Sequence, residues 1–100
     1  MDYRELKIGS IVIVEGSVVL STSFIKQEEN SALKNISIDF FKERWEDKKL
    51  LIVGNNYTLE TNIKDIQFTI SFLGTKYIHF LTELTEIGDI KENDLVMVID

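Results

Sequence analysis

The run "IQFTISFL", residues 66–73, does most to narrow the folds open to this chain. Ile66, Phe68, Ile70 and Phe72 alternate with Gln67, Thr69 and Ser71, and a period of two sends successive side chains to opposite faces of a strand. The pattern predicts a strand with one face buried. Such a strand needs partners, and the rest of the sequence supplies candidates.

Residues 10–15, "SIVIVE", are followed by Gly16 and then by "SVVLSTSFI", where Val18, Leu20 and Phe24 fall at alternating positions. This predicts a hairpin turning at Glu15–Gly16, where glycine accepts positive φ without a Cβ penalty. "LLIVGNNYTLET" reads as two more strands joined by Gly54, Asn55 and Asn56, residue types that tolerate left-handed conformations. The C-terminal "IKENDLVMVID" reads as a turn and a strand. Its "KENDLVMV" (91–98) resembles "KIGSIVIV" (7–14) in pattern, a lysine and turn formers before an apolar run, so the two terminal strands are expected to be neighbours in the sheet.

Two segments carry helical spacing instead. Asp39 can cap the first turn of "FFKERWEDKK", with Ile38, Phe41 and Trp45 on one stripe and Lys42, Glu43, Glu46 and Asp47 towards water. In residues 76–86, Tyr77, Phe80, Leu81 and Leu84 form a second stripe, leaving Lys76, His79, Glu83 and Glu86 on or near the exposed side. "KQEENSALKN", residues 26–35, is polar and unpatterned and reads as a loop open to partner contact. The expected fold is therefore a single α+β domain over residues 1–100, a mostly antiparallel sheet of about five or six strands with two short helices against it.

Composition bounds the class of function. The chain has 100 residues and no cysteine, which excludes disulfides and thiolate metal sites together. No apolar run approaches the roughly 20 residues of a membrane-spanning helix, and the charged "MDYRELKIGS" start lacks a signal-peptide core, so a cytoplasmic protein with no membrane contact is expected. Charge is uneven. Residues 1–80 carry 11 acidic and 10 basic side chains, a net of −1, whereas residues 81–100 carry six acids against Lys91, a net of −5. A field of that sign repels phosphate backbones and attracts basic protein surfaces.

Catalytic signatures are missing: there is no G-x-S-x-G, G-x-G-x-x-G, P-loop or H-E-x-x-H pattern. His79 is the one histidine, and with Glu83 four residues on it could share a metal or act as a general base, but two ligands rarely suffice for a metal and an ordinary i,i+4 surface pair is the favoured reading of the spacing. Asp89, Glu92 and Asp94 could hold calcium but lack the EF-hand pattern. No cofactor, metal or catalytic residue is assigned. Phe40 lies off the stripe of Ile38, Phe41 and Trp45, and an exposed aromatic there would anchor a protein partner.

Three segments, "ELKIGSIVIVEG", "ISIDFFKERW" and "KYIHFLTEL", resemble in that order a widespread group of small uncharacterised proteins from Bacteroidota and their phages. Those proteins carry segments like "ELRIGN-V", "IPLTEEWLLKFGF" and "YVHQLQNLYFALTGEEL". The most specific part of the likeness is Tyr77, His79 and Leu81 with Leu84 following. Ile38-Asp39 stands in place of the group's Pro-Leu-Thr, "EDKK" replaces "KFGF", and the acidic end has no counterpart. The resemblance implies a phage or mobile-element setting and transfers no activity.

The leading expectation is a non-enzymatic protein-binding module that inhibits a host protein, such as a CRISPR-type or other defence nuclease, by covering a basic surface. Its contact residues would be Glu83, Glu86, Asp89, Glu92, Asp94 and Phe40. Two rivals remain. One is a small β-barrel-like module binding peptide or nucleic acid, with Lys42, Arg44, Lys48 and Lys49 as a positive patch; the other is a metal-dependent or general-base enzyme around His79. The protein could be a monomer or a homodimer, since exposed edge strands can pair.

Overall fold

The structure is a computed structural model and describes residues 5–24, 43–45 and 47–99. Six strands occur among them: β1 (Leu6–Val14), β2 (Ser17–Phe24), β3 (Lys49–Val53), β4 (Thr58–Ile70), β5 (Lys76–Thr82) and β6 (Leu95–Ile99). Every neighbouring pair is antiparallel, and the order β1-β2-β5-β4-β3-β6 closes on itself as a barrel.

This corrects the expected α+β layout with two helices. Residues 76–82 are strand β5, and helix among the described residues is confined to 43–45. The apolar spacing of "KYIHFLT" satisfies both periods, but β5 places Lys76, Ile78, Phe80 and Thr82 inside and leaves Tyr77, His79 and Leu81 half-buried outside. Thr82 hides the alternation in the sequence because a hydroxyl reads as polar. Inside the barrel it is satisfied, donating to the Val18 carbonyl at 2.8 Å. Thr22 does the same from the other strand, donating to the Ile78 carbonyl at 2.8 Å. Each buried hydroxyl thus has an acceptor, as burial in an apolar interior demands.

Alternation fills the barrel. Val18, Leu20, Thr22 and Phe24 of β2 point inward and meet Leu50 and Ile52 of β3, Ile66 of β4, Ile78 and Phe80 of β5, and Val96 and Val98 of β6. Burying each of the larger aliphatic side chains contributes about 1.5–3 kcal/mol. Trp45, arriving from outside the sheet, packs on Phe80 with ring centroids 5.8 Å apart and is itself buried. It belongs to the core, while Ile38, Asp39, Phe40, Phe41, Lys42, Glu46 and the 26–35 loop lie outside the described residues.

The hairpins stand where their turn residues predict, by two different devices. Glu15 and Gly16 both have positive φ, 50° and 83°, the hand that suits a two-residue hairpin turn. The turn after β3 uses no positive φ at Gly54, Asn55 or Asn56, contrary to the sequence expectation. Gly54 is required there for room: a Cβ would collide with the Tyr57 ring.

Strand β4 pairs with β3 over Thr58–Asn62 and with β5 over Ile63–Ile70, changing register between Ile63 and Asp65. Ile66 faces the core, whereas Ile70 and Phe72 are exposed because the strand runs past the end of the barrel. The barrel is closed by a short contact. Leu6 and Lys7 pair with Val96 and Leu95, and Ile8 exchanges backbone hydrogen bonds with Asp94 (3.0 Å) and Asn93 (2.8 Å). A bulge between Ile8 and Ser10 then redirects β1, and from Ser10 to Val14 it pairs with β2 alone among the described strands.

Candidate functional site

The antiparallel order places the β1–β2 turn, the β3–β4 turn and the β5–β6 connection (residues 83–94) at one end of the barrel. The connection holds the acidic cluster. It has no regular secondary structure, yet it is fastened along its length. At its start the Leu84 carbonyl accepts the Val18 N–H at 2.8 Å, the Leu84 N–H donates to the Thr82 hydroxyl at 3.2 Å, and the Glu83 carboxylate accepts the Asn62 amide at 2.9 Å. In the middle Ile90 is buried and Leu84 and Ile87 pack against the core. Near its end Asn93, with φ of 73°, donates to Ile8.

Tyr57 and Asp94 make the central clasp. The Tyr57 hydroxyl donates to the Asp94 carboxylate, which also accepts the Lys91 N–H at 2.9 Å. Burial, then the hydrogen bond to Asp94 and the negative charges of Asp94 and Asp89, push the Tyr57 phenol well above the ordinary tyrosine range. A polar cleft of about 230 Å³ lined by Asn55, Asn56, Tyr57, Asp89, Lys91 and Asp94 lies beside the clasp. A second groove of about 450 Å³ runs along Tyr57–Leu59 and residues 84–90.

The five acidic residues expected to bind a partner therefore share one connection but do not share one role. Glu83, Glu86, Asp89 and Glu92 are exposed, whereas Asp94 is half-buried and occupied by the clasp. Asp94 holds the end together, Glu83 presents charge while also accepting the Asn62 amide, and Glu86, Asp89 and Glu92 present charge. Phe40 lies outside the described residues. Of the positive patch, Arg44 and Lys49 are exposed and Lys48 is half-buried.

His79 is not on a helix and does not pair with Glu83. It sits on the outer face of β5, opposite Ser21 of β2 and Gln67 of β4. Its Nδ1 is 2.7 Å from the Ser21 hydroxyl and its Nε2 is 2.7 Å from the Thr69 hydroxyl. Partial burial lowers its pKa, which favours the neutral ring. A neutral imidazole donates from one nitrogen and accepts at the other, so one hydroxyl donates to it and the other accepts from it. This links three strands across a concavity of about 380 Å³ walled by Val12, Val14, Val19 and Leu81. Among the described residues no three His, Asp or Glu side chains come together to hold a metal ion, so the pairing of His79 with Glu83 and the triplet Asp89, Glu92 and Asp94 have no metal geometry. Ser21 lies 58 residues from His79, and no local motif signals their contact.

The opposite end carries the β4–β5 hairpin tip, residues 71–75. Ser71 fixes it, donating its N–H to the Thr75 carbonyl (2.7 Å), accepting the Gly74 N–H (2.9 Å) and taking the Thr75 N–H on its hydroxyl (3.0 Å). Phe72 and Leu73 stand almost wholly in solvent at 104% and 90% exposure, which makes this tip the most exposed apolar feature described. No helix among the described residues is long and apolar enough to cross a membrane. Comparison with models of protein families, with curated proteins and with solved structures returns no match to this chain.

Proposed function

We propose that this protein is a protein-binding β-barrel module that docks its acidic end on a basic surface of its partner. The observation that carries the reading is the fastened connection. Glu83, Glu86, Asp89 and Glu92 are exposed on a segment anchored by Ile90, the Tyr57–Asp94 clasp and the Asn93–Ile8 bond. A negative surface held in place pays little ordering entropy on binding, and its field steers a basic partner into contact. The same charge disfavours a nucleic-acid ligand at this end. With the phage-protein resemblance, the partner class becomes a host protein with a positively charged channel, such as a defence nuclease, which the module would inhibit by occupying that channel.

The test compares capture from host cytosol by the wild-type chain and by a variant carrying Glu83→Gln, Glu86→Gln, Asp89→Asn and Glu92→Gln. Asp94 is left intact because neutralising it would loosen the clasp. A basic protein captured by the wild type and lost by the variant supports the reading. Equal capture by both removes the acidic end from the interface.

A further inference from the structure

Ile11 in the upper half of β1 packs against the core, but this half of the strand has a hydrogen-bonding edge with no partner among the described residues. Ser10–Val14 pairs with β2 on one side and with nothing on the other among the described residues. Ile11, Val12, Ile13 and Val14 are β-branched, and Val12, Ile13 and Val14 are each about half exposed, at 48%, 50% and 50%. Sheet proteins ordinarily guard such an edge with lysine, proline or an inward charge. None guards this one: residues 10–14 are uncharged, and the chain has no proline.

Register decides which backbone groups face outward. A two-residue turn makes its flanking pair, Val14 and Ser17, exchange hydrogen bonds, so the next pair, Ile13 and Val18, turns its groups away from each other. The Val18 N–H does point away, donating to the Leu84 carbonyl at 2.8 Å. By the same alternation Ile11 and Ile13 direct their N–H and C=O groups to the open edge.

We infer that this edge pairs with the same edge of a second copy, giving an antiparallel β1–β1 homodimer with its two-fold axis at Val12. In that register Ile11 of each copy faces Ile13 of the other, and both are residues whose backbone groups point outward. The pairs exchange N–H···O=C bonds in both directions. Val12 meets Val12 as the intervening pair whose backbone groups turn inward, where side chains approach closest. Val14 meets Ser10, and Glu15 meets Gly9, so no like charges stand opposite. A shift of the axis to Ile13 would set Ile11 against Glu15 and lose that match. The opposing directions of the two strands and their identical sequence make the edge self-complementary, as a two-fold interface requires. β6 begins at Leu95, opposite Lys7, so beyond Ile8 the edge has no strand beside it among the described residues, and the bulge after Ile8 lies where that free edge begins.

The experiment is sedimentation equilibrium on the full chain, repeated with Val12→Lys, with Val12→Glu and with an equimolar mixture of the two variants, folding being checked by circular dichroism. The expected result is a wild-type dimer, a dissociation constant raised at least roughly tenfold in each single variant, and a dimer restored in the mixture, where opposite charges face each other across the axis. Amide exchange on the wild type should show the Ile11 and Ile13 N–H groups protected at concentrations where the dimer forms. A wild type that remains monomeric up to millimolar concentration overturns the inference. So does a dimer that Val12→Lys leaves unchanged, or one in which both amides exchange freely.

Discussion

The two ends of the barrel are both built from connections between strands, and they solve opposite problems. Residues 83–94 form an irregular segment anchored by side chains from β3–β4, by a buried isoleucine and by the backbone of β1. Residues 71–75 form a tight hairpin tip whose bonds are all internal and whose Phe72 and Leu73 touch water. Irregular backbone is therefore the better integrated of the two. Order in this protein follows from where polar groups and apolar side chains find partners, and the presence of regular secondary structure is a poor guide to it.

Damage should be far more costly at the acidic end. Ile90→Ala empties a buried position under the connection, and the expected loss is about 2–4 kcal/mol of unfolding free energy, read from urea denaturation. Tyr57→Phe removes the hydroxyl that holds Asp94 and should cost about 1.5 kcal/mol. The same variant has a pH signature. Because the fold favours the neutral phenol, Tyr57 contributes stability that is present below the ordinary tyrosine pKa of about 10 and is lost as pH rises beyond it; Tyr57→Phe should flatten that alkaline decline. At the tip, Phe72→Ser with Leu73→Ser should change stability by no more than about 0.5 kcal/mol, since neither side chain gains burial on folding. A loss of a kilocalorie or more there would mean that the tip is anchored after all.

A smaller effect sharpens the contrast between the ends and the side of the barrel. His79 is held neutral, so its contribution is fully present above the ordinary histidine pKa and declines as pH falls through and below it. Thermal unfolding followed between pH 7 and 5 should show a modest acid-side loss in the wild type that His79→Gln abolishes. An acid-side slope that survives the substitution would assign it to other groups.

Sequence reasoning reaches this molecule unevenly. The hairpin at Glu15–Gly16, the place of the turn at Gly54–Asn56 but not its left-handed geometry, the core position of Trp45 and the adjacency of the terminal strands follow from local turn chemistry and pattern. The helix expected over 76–86 fails because Tyr77, Phe80, Leu81 and Leu84 meet the helical period while Ile78, Phe80 and the masked apolar role of Thr82 meet the strand period. The aromatic and β-branched content of "YIHF" is the signal that favours strand. Acidity at the C-terminal end is legible as charge, but the division between Asp94, which fastens, and its four neighbours, which are exposed, depends on Tyr57, 37 residues away. The Ser21–His79–Thr69 link is likewise a product of register between three strands. Gly9, placed inside a strand-like run, is the one local hint of the bulge in β1.

The most direct test of the docking account is the salt dependence of affinity between the wild-type chain and its purified partner, set beside the variant neutralised at Glu83, Glu86, Asp89 and Glu92. The account predicts that wild-type binding weakens steeply as salt rises, and that the variant binds more weakly with a much shallower slope. Equal affinity and equal slope for both proteins would contradict it.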